Sequence, residues 1–155
     1  MSTFPGEGHP SIVYPYATED WVVDELIAGM RFTPQSQFCT AGSHLFLHAD
    51  IFESFLERLR AKGQAFKLGD PLEETTDIGS IINNKQFTKV GGYVEEGLQR
   101  KDAHLVFGGL PPKECPLSEG YFAIPTVFAD TLNDWRLACE EIFGSVRSRS
   151  RAGTR

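Results

Sequence analysis

Short apolar runs alternate with longer stretches of helical period along most of this 155-residue chain. No other feature limits the fold as much. Residues 11–14, 44–48, 104–107, 121–124 and 126–128 are brief, apolar and rich in β-branched and aromatic side chains, as buried strands are. Between them, Val23, Leu26, Ile27 and Met30 recur at helical spacing. So do Ile51, Phe52, Phe55, Leu56 and Leu59, and again Phe87, Val90, Val94 and Leu98. A short helix is predicted over 133–140. Alternation with short connections predicts an α/β fold, a sheet with flanking helices.

Local signals refine the boundaries. Thr18 is placed to cap the first helix, with Glu19 and Asp20 at the positive end of its dipole. Asp50 followed by Glu53 fits the start of the second helix, and Gly63 its stop. Gly91 and Gly92 lie inside the third helix, where each costs about 1 kcal/mol, so close packing against a neighbour is expected there. The organisation read from these signals is an irregular segment over 1–10 and one domain over 11–146. A basic Ser/Arg tail over 147–155, with four arginines, is predicted to be disordered. Such a tail can bind RNA or accept phosphate, or more simply have no role.

The formal net charge of −6 argues against general nucleic-acid binding. No apolar run approaches the roughly 18 residues of a membrane span. The first residues lack the basic-then-apolar pattern of a secretory signal. Three widely spaced cysteines, Cys39, Cys115 and Cys139, make neither a disulfide framework nor a metal quartet. His44 and His48 bracket a strand rather than a helical turn, and no metal site is read. The expectation is a cytoplasmic protein with free thiols.

One cysteine is set apart by its neighbours. Phe32-Thr33-Pro34-Gln35-Ser36-Gln37-Phe38-Cys39-Thr40-Ala41-Gly42 places Cys39 in a loop of small residues between a helix and a strand. On chemistry alone Cys39 reads as an inert buried thiol and Phe38 as core. The segment resembles the nucleophile motif of the NAD(P)-dependent aldehyde dehydrogenases, F-x-x-x-G-Q-x-C-x-A-G. Phe32, Gln37, Cys39, Ala41 and Gly42 match, while Ser36 stands where glycine is usual and Pro34 where asparagine is common. The resemblance continues in order through Gly69-Asp70-Pro71, Thr76-Asp77-Ile78-Gly79, Gly120-Tyr121-Phe122, Pro125-Thr126-Val127 and Glu140-Glu141-Ile142-Phe143-Gly144, with Ser145 in place of proline.

The resemblance implies an incomplete aldehyde dehydrogenase catalytic domain that oxidises an aldehyde to an acid with NAD or NADP. Cys39 would be the nucleophile, passing through a thiohemiacetal and a thioester. Phe38 and Thr40 would line the aldehyde pocket. Glu141 would hold the nicotinamide ribose and Phe143 pack against the ring; without the resemblance, Glu141 reads as a solvated carboxylate and Phe143 as core. The family's general-base glutamate falls at Phe4, with Glu7 nearby but out of register. The family's cofactor-binding domain and upstream oxyanion asparagine have no counterpart here. An isolated chain of this kind is expected to be inactive. Two alternatives stand beside the enzyme: a truncated pseudo-enzyme, and an interaction protein that self-associates or pairs with a full-length relative.

Overall fold

The computed structural model describes residues 9–113, 117–132 and 134–152, with side chains through 148. The element order is β1 (His9–Val13), α1 (Asp20–Met30), β2 (Gly42–His48), a 3₁₀ turn (Ala49–Ile51), α2 (Phe52–Gln64), α3 (Asn84–Gln99), β3 (His104–Phe107), a second 3₁₀ turn (Leu117–Glu119), β4 (Thr126–Ala129), α4 (Arg136–Cys139) and β5 (Val146–Ala152). The strands form one sheet in the order β1-β2-β5-β4-β3. All neighbours run parallel except β3 and β4.

The sheet divides the apolar side chains into two layers. On one face, Val23 and Met30 of α1 and Phe52, Phe55 and Leu59 of α2 pack with Leu45 and Leu47 of β2. On the other, Val90, Tyr93 and Val94 of α3 pack with Trp135, Leu137 and Ile142. Strand β4 serves both, sending Val127 and Ala129 to the first layer and Phe128 to the second, as the two-residue period of a strand requires. All four β4 residues are buried, which explains an uninterrupted apolar run where a one-sided strand would alternate.

Several sequence expectations are corrected. Residues 147–152 are not a disordered tail: with Val146 they form β5, hydrogen-bonded to β2 on one side and β4 on the other. Disorder was read from low hydrophobicity, but a strand paired on both edges is held by its backbone, whatever its composition. The irregular segment does not extend to residue 10, because β1 begins at His9. Residues 121–124 form no strand; Tyr121 instead offers its carbonyl to the Ile81 N–H. The helix expected over 133–140 is confined to Arg136–Cys139. The residue at the start of α1 is Glu19, not Thr18, and its side chain makes no capping hydrogen bond. The His48 ring nitrogen, not Asp50, accepts the N–H of the turn before α2.

Glycine positions are also reassigned. Gly63 lies inside α2, against the Phe107 ring. The glycines of α3 that make close contact are not the expected pair. A side chain at Gly97 would run into the Phe128 ring, whereas Gly91 and Gly92 have nothing within 4 Å. Gly91→Ala and Gly92→Ala therefore remove only backbone freedom. Each should raise stability by about 0.5–1 kcal/mol, read from urea denaturation midpoints. A fall in either variant would mean that α3 is packed more tightly than its open side suggests.

Candidate active site

The loop between α1 and β2 is anchored from below. Phe32 is buried edge-on against Phe66 and Phe107, with ring centroids 6.1 and 6.2 Å away. From there the chain turns tightly: Gln35 N–H donates to Phe32 O at 2.8 Å and Ser36 N–H to Arg31 O at 2.7 Å. Arg31, Gln35 and Ser36 all adopt left-handed backbone, with φ of 54°, 58° and 54°. This is why glycine suits position 36: a side chain there is strained. The Ser36 hydroxyl offsets part of that cost by donating to Met30 O at 2.9 Å. Gln37 then accepts the Ile82 N–H, tying the loop to the segment before α3.

The loop ends with Phe38, Cys39 and Thr40 at the surface. Phe38 is 50% exposed and Cys39 is an exposed free thiol, so neither is the buried core residue that its type alone suggests. The Arg31 guanidinium lies 6.0 Å from the centre of the Phe38 ring.

The second site loop follows α4. Its geometry is set by α3. Gln86 donates its side-chain N–H groups to Ile142 O at 2.9 Å and Phe143 O at 2.7 Å, and Lys89 donates to Glu141 O at 2.8 Å. Gly144 passes so close to Val90 that no side chain fits. Phe143 is held at φ 54° with its ring 40% exposed, so it too is not core. Glu141 is exposed. Just before it, Glu140 takes a hydrogen bond from Tyr93 and a two-pronged contact from Arg136 at 2.9 and 3.0 Å, while Arg136 also reaches Glu96 at 3.1 Å.

The Arg136 hydrogen bond, then that of Tyr93, holds the Glu140 carboxyl down to about 2, against an ordinary 4.5. A depressed carboxyl stabilises the fold above its unfolded value and loses that contribution as pH falls through its folded value. Glu140→Gln is therefore expected to flatten the acid limb of the stability curve between pH 4.5 and about 2. Urea titrations across that window check it, and an unchanged slope would remove Glu140 from the acid response. Because the pair is largely solvent-exposed, the loss at neutral pH should be small.

The two loops meet. Pro34, Gln37 and Phe38 from the first and Phe143 from the second line one open groove of about 700 Å³, together with Ile82, Asn83, Lys85, Gln86 and Lys89. The structure thus brings together Phe38 and Phe143; Cys39 and Thr40, next to Phe38 in sequence, are exposed but do not line the groove, and Glu141 is fixed through its carbonyl. Sequence reasoning missed Gln86 and Lys89. At helical spacing they look like a solvated face, and only their reach to residues more than fifty positions away reveals the role. Cys139 is exposed on α4, and Cys115, Phe4 and Glu7 lie outside the described residues.

Residues 6–153 match the aldehyde dehydrogenase family. The chain belongs to that family. It is 39% identical over 141 residues to hydroxyisobutyraldehyde dehydrogenase of Mycolicibacterium austroafricanum, covering 91% of this chain and 27% of that one. It is 41% identical over 143 residues to betaine aldehyde dehydrogenase of Rhizobium leguminosarum, covering 92% and 29%. Among solved structures it superposes on betaine aldehyde dehydrogenase of Staphylococcus aureus, in complex with NAD+, with a TM-score of 0.86 and 28% identity. That match covers 96% of this chain and 29% of the other. The sheet and helices thus correspond to part of an aldehyde dehydrogenase fold, and the chain spans 27–29% of the length of these relatives. Among the described residues, no helix is long and apolar enough to cross a membrane.

Proposed function

We propose that this chain carries the nucleophile and the nicotinamide-side wall of an aldehyde dehydrogenase, oxidising an aldehyde to a carboxylic acid with NAD(P)+. The observation that carries this reading is the shared groove: the loop that bears the exposed Cys39 and the loop that bears the exposed Phe143 at positive φ both contribute to its lining, the first through Pro34, Gln37 and Phe38. An exposed aromatic ring fixed by a backbone hydrogen bond suits a planar heteroaromatic ring, so Phe143 fits the nicotinamide end of the cofactor. Glu141 and Phe143 would hold that end, with Phe38 and Thr40 on the aldehyde side. When bound, the cofactor supplies the hydride acceptor.

The chemistry assigned to the chain itself is local. The Cys39 thiolate attacks the aldehyde carbon, and the backbone N–H of Cys39 donates to the developing oxyanion. After loss of hydride the acyl group remains on sulfur as a thioester, which water cleaves once a base removes its proton. The described residues offer no base placed for that last step. The isolated chain is accordingly expected to acylate and to turn over poorly, in the cytoplasm.

An activated acetyl ester tests the nucleophile without any cofactor, since it carries its own leaving group. The thiolate displaces the alkoxide or phenolate and keeps the acetyl group. Peptide mass mapping should find Cys39 acetylated well ahead of Cys139, and Cys39→Ala should abolish the fast phase. Equal labelling of both thiols would remove Cys39 from the role of nucleophile.

A second reading has its own support. Ile12, Tyr14, Tyr16 and Trp21 are exposed beside β1, an edge strand, and Tyr14 and Tyr16 stack with centroids 5.7 Å apart. Such an edge favours association with a full-length relative or with itself. Co-purification with a full-length dehydrogenase supports this reading, and a dispersed monomer at high concentration counts against it.

A further inference from the structure

We propose that Gln35, Ser145 and Arg147 form a buried strap that positions the Cys39 loop against the Glu141–Phe143 loop. All three side chains are almost completely inaccessible to solvent. The Gln35 amide donates to Gly79 O at 2.6 Å and Ala123 O at 3.4 Å, and its oxygen accepts the Ser145 hydroxyl at 2.7 Å. Every polar atom of that side chain is engaged. Arg147 reaches in the other direction. It donates to Gly144 O at 2.7 Å and Val146 O at 2.8 Å from one nitrogen, and to Met30 O at 2.9 Å from the other. Met30 O is also the acceptor for Ser36. A continuous polar chain therefore runs from the end of α1, through the strained turn that carries Cys39, to the segment directly after Phe143.

One of its members, Ser145, stands in place of proline, and Ser36, which shares the Met30 O acceptor with Arg147, stands in place of glycine; both are departures from the family motif. Glycine and proline offer no side-chain donor, so neither hydrogen bond could form with the usual residues. The strap fixes two loops that are 110 residues apart in sequence. Arg147 is a cation buried beside the Phe32 ring, with its Nε hydrogen unpartnered among the described residues. A side chain held so imperfectly is poorly explained by stability and well explained by the geometry it imposes. Ser145 and Arg147 are thus positioning residues, acting on Cys39 through the turn. Their catalytic meaning rests on the aldehyde-oxidation reading.

Amide hydrogen exchange of the full chain, followed residue by residue by NMR, tests the strap. Ser145→Ala and Arg147→Met should each speed exchange over residues 35–41 by about fivefold, the ratio corresponding to one net hydrogen bond. Amides of α2 should keep their rates, and Arg147→Met should keep the melting temperature. Unchanged exchange over 35–41 in both variants would overturn the proposal. So would equal acceleration in α2, which would reduce the strap to general stability. The measurement uses neither aldehyde nor NAD(P)+, so it can fail while Cys39 acylation succeeds, and the reverse.

Discussion

Replacing Arg147 by glutamate destabilises this domain by about 3–5 kcal/mol, whereas methionine at the same position leaves it at least as stable. The contrast follows from what surrounds the side chain. Arg147 is 4% exposed, and burial pushes its guanidinium down to about 10. Its hydrogen-bond partners are three backbone carbonyls, and no ion pair to a carboxylate is recorded among the described residues. A glutamate there would place a negative charge among those carbonyl oxygens. An uncompensated buried charge costs about 3–5 kcal/mol, a large part of the roughly 5–15 kcal/mol that holds a domain together. Methionine instead removes the desolvation cost while filling most of the volume. Two of the stranded carbonyls keep a second donor: Ser36 at Met30 O, and the Val146 N–H at Gly144 O. Replacing a buried ion pair by apolar side chains of similar volume is often neutral or stabilising by about 1–4 kcal/mol, and the same desolvation balance applies to a lone buried cation. Urea denaturation of both variants decides it. A loss above about 2 kcal/mol in Arg147→Met would mean that the carbonyl bonds outweigh the desolvation cost.

Phe128→Ala is the second large effect. Phe128 is 0% exposed in β4, and its ring occupies the space that the missing side chain of Gly97 leaves in α3. Strand and helix approach there as closely as a ring allows. Truncating a buried phenylalanine costs about 3–5 kcal/mol, through lost transfer energy and the cavity left behind. The pairing gives the prediction a second, sharper form. Gly97→Ala alone should destabilise, because its methyl meets the ring. In the Phe128→Ala background the same methyl enters the vacated space and should be neutral or restoring. The two changes should therefore be strongly non-additive in denaturation free energy, by at least about 1 kcal/mol. Additivity would separate Phe128 from Gly97.

Much of this arrangement was legible in the sequence, and the exceptions share a cause. The helices α1 to α3 and strands β1 to β4 announced themselves through apolar periodicity, because each buries its face among apolar neighbours. Cys39, Phe38 and Phe143 are singled out by motif alone, and the structure adds that all three are exposed and that the two rings line one groove. Strand β5 was not found, because its polar residues are held by hydrogen bonds to backbone groups far away in sequence. Arg147 reads as solvated until Met30 O is seen beside it. Gln86 and Lys89 escaped for the same reason, since their partners are carbonyls, and every residue has one. The packing glycines were misplaced because Gly91 and Gly97 look alike in sequence, and only the ring across from Gly97 distinguishes them.

The strand order has a consequence for how such a chain acquires its shape. β5 follows the other four described strands in sequence, yet it lies in the middle of the sheet, between β2 and β4. Until it arrives, β1 with β2 and β4 with β3 are separate two-stranded pieces, each with an unsatisfied inner edge and half a core. Two-stranded pieces are marginal by themselves, and pairings between distant segments form slowly. During synthesis on the ribosome, all the helices would emerge before the strand that unites them. The growing polypeptide would stay sticky and unclosed until β5 emerges, a period in which chaperone capture or assembly with another polypeptide competes with closure.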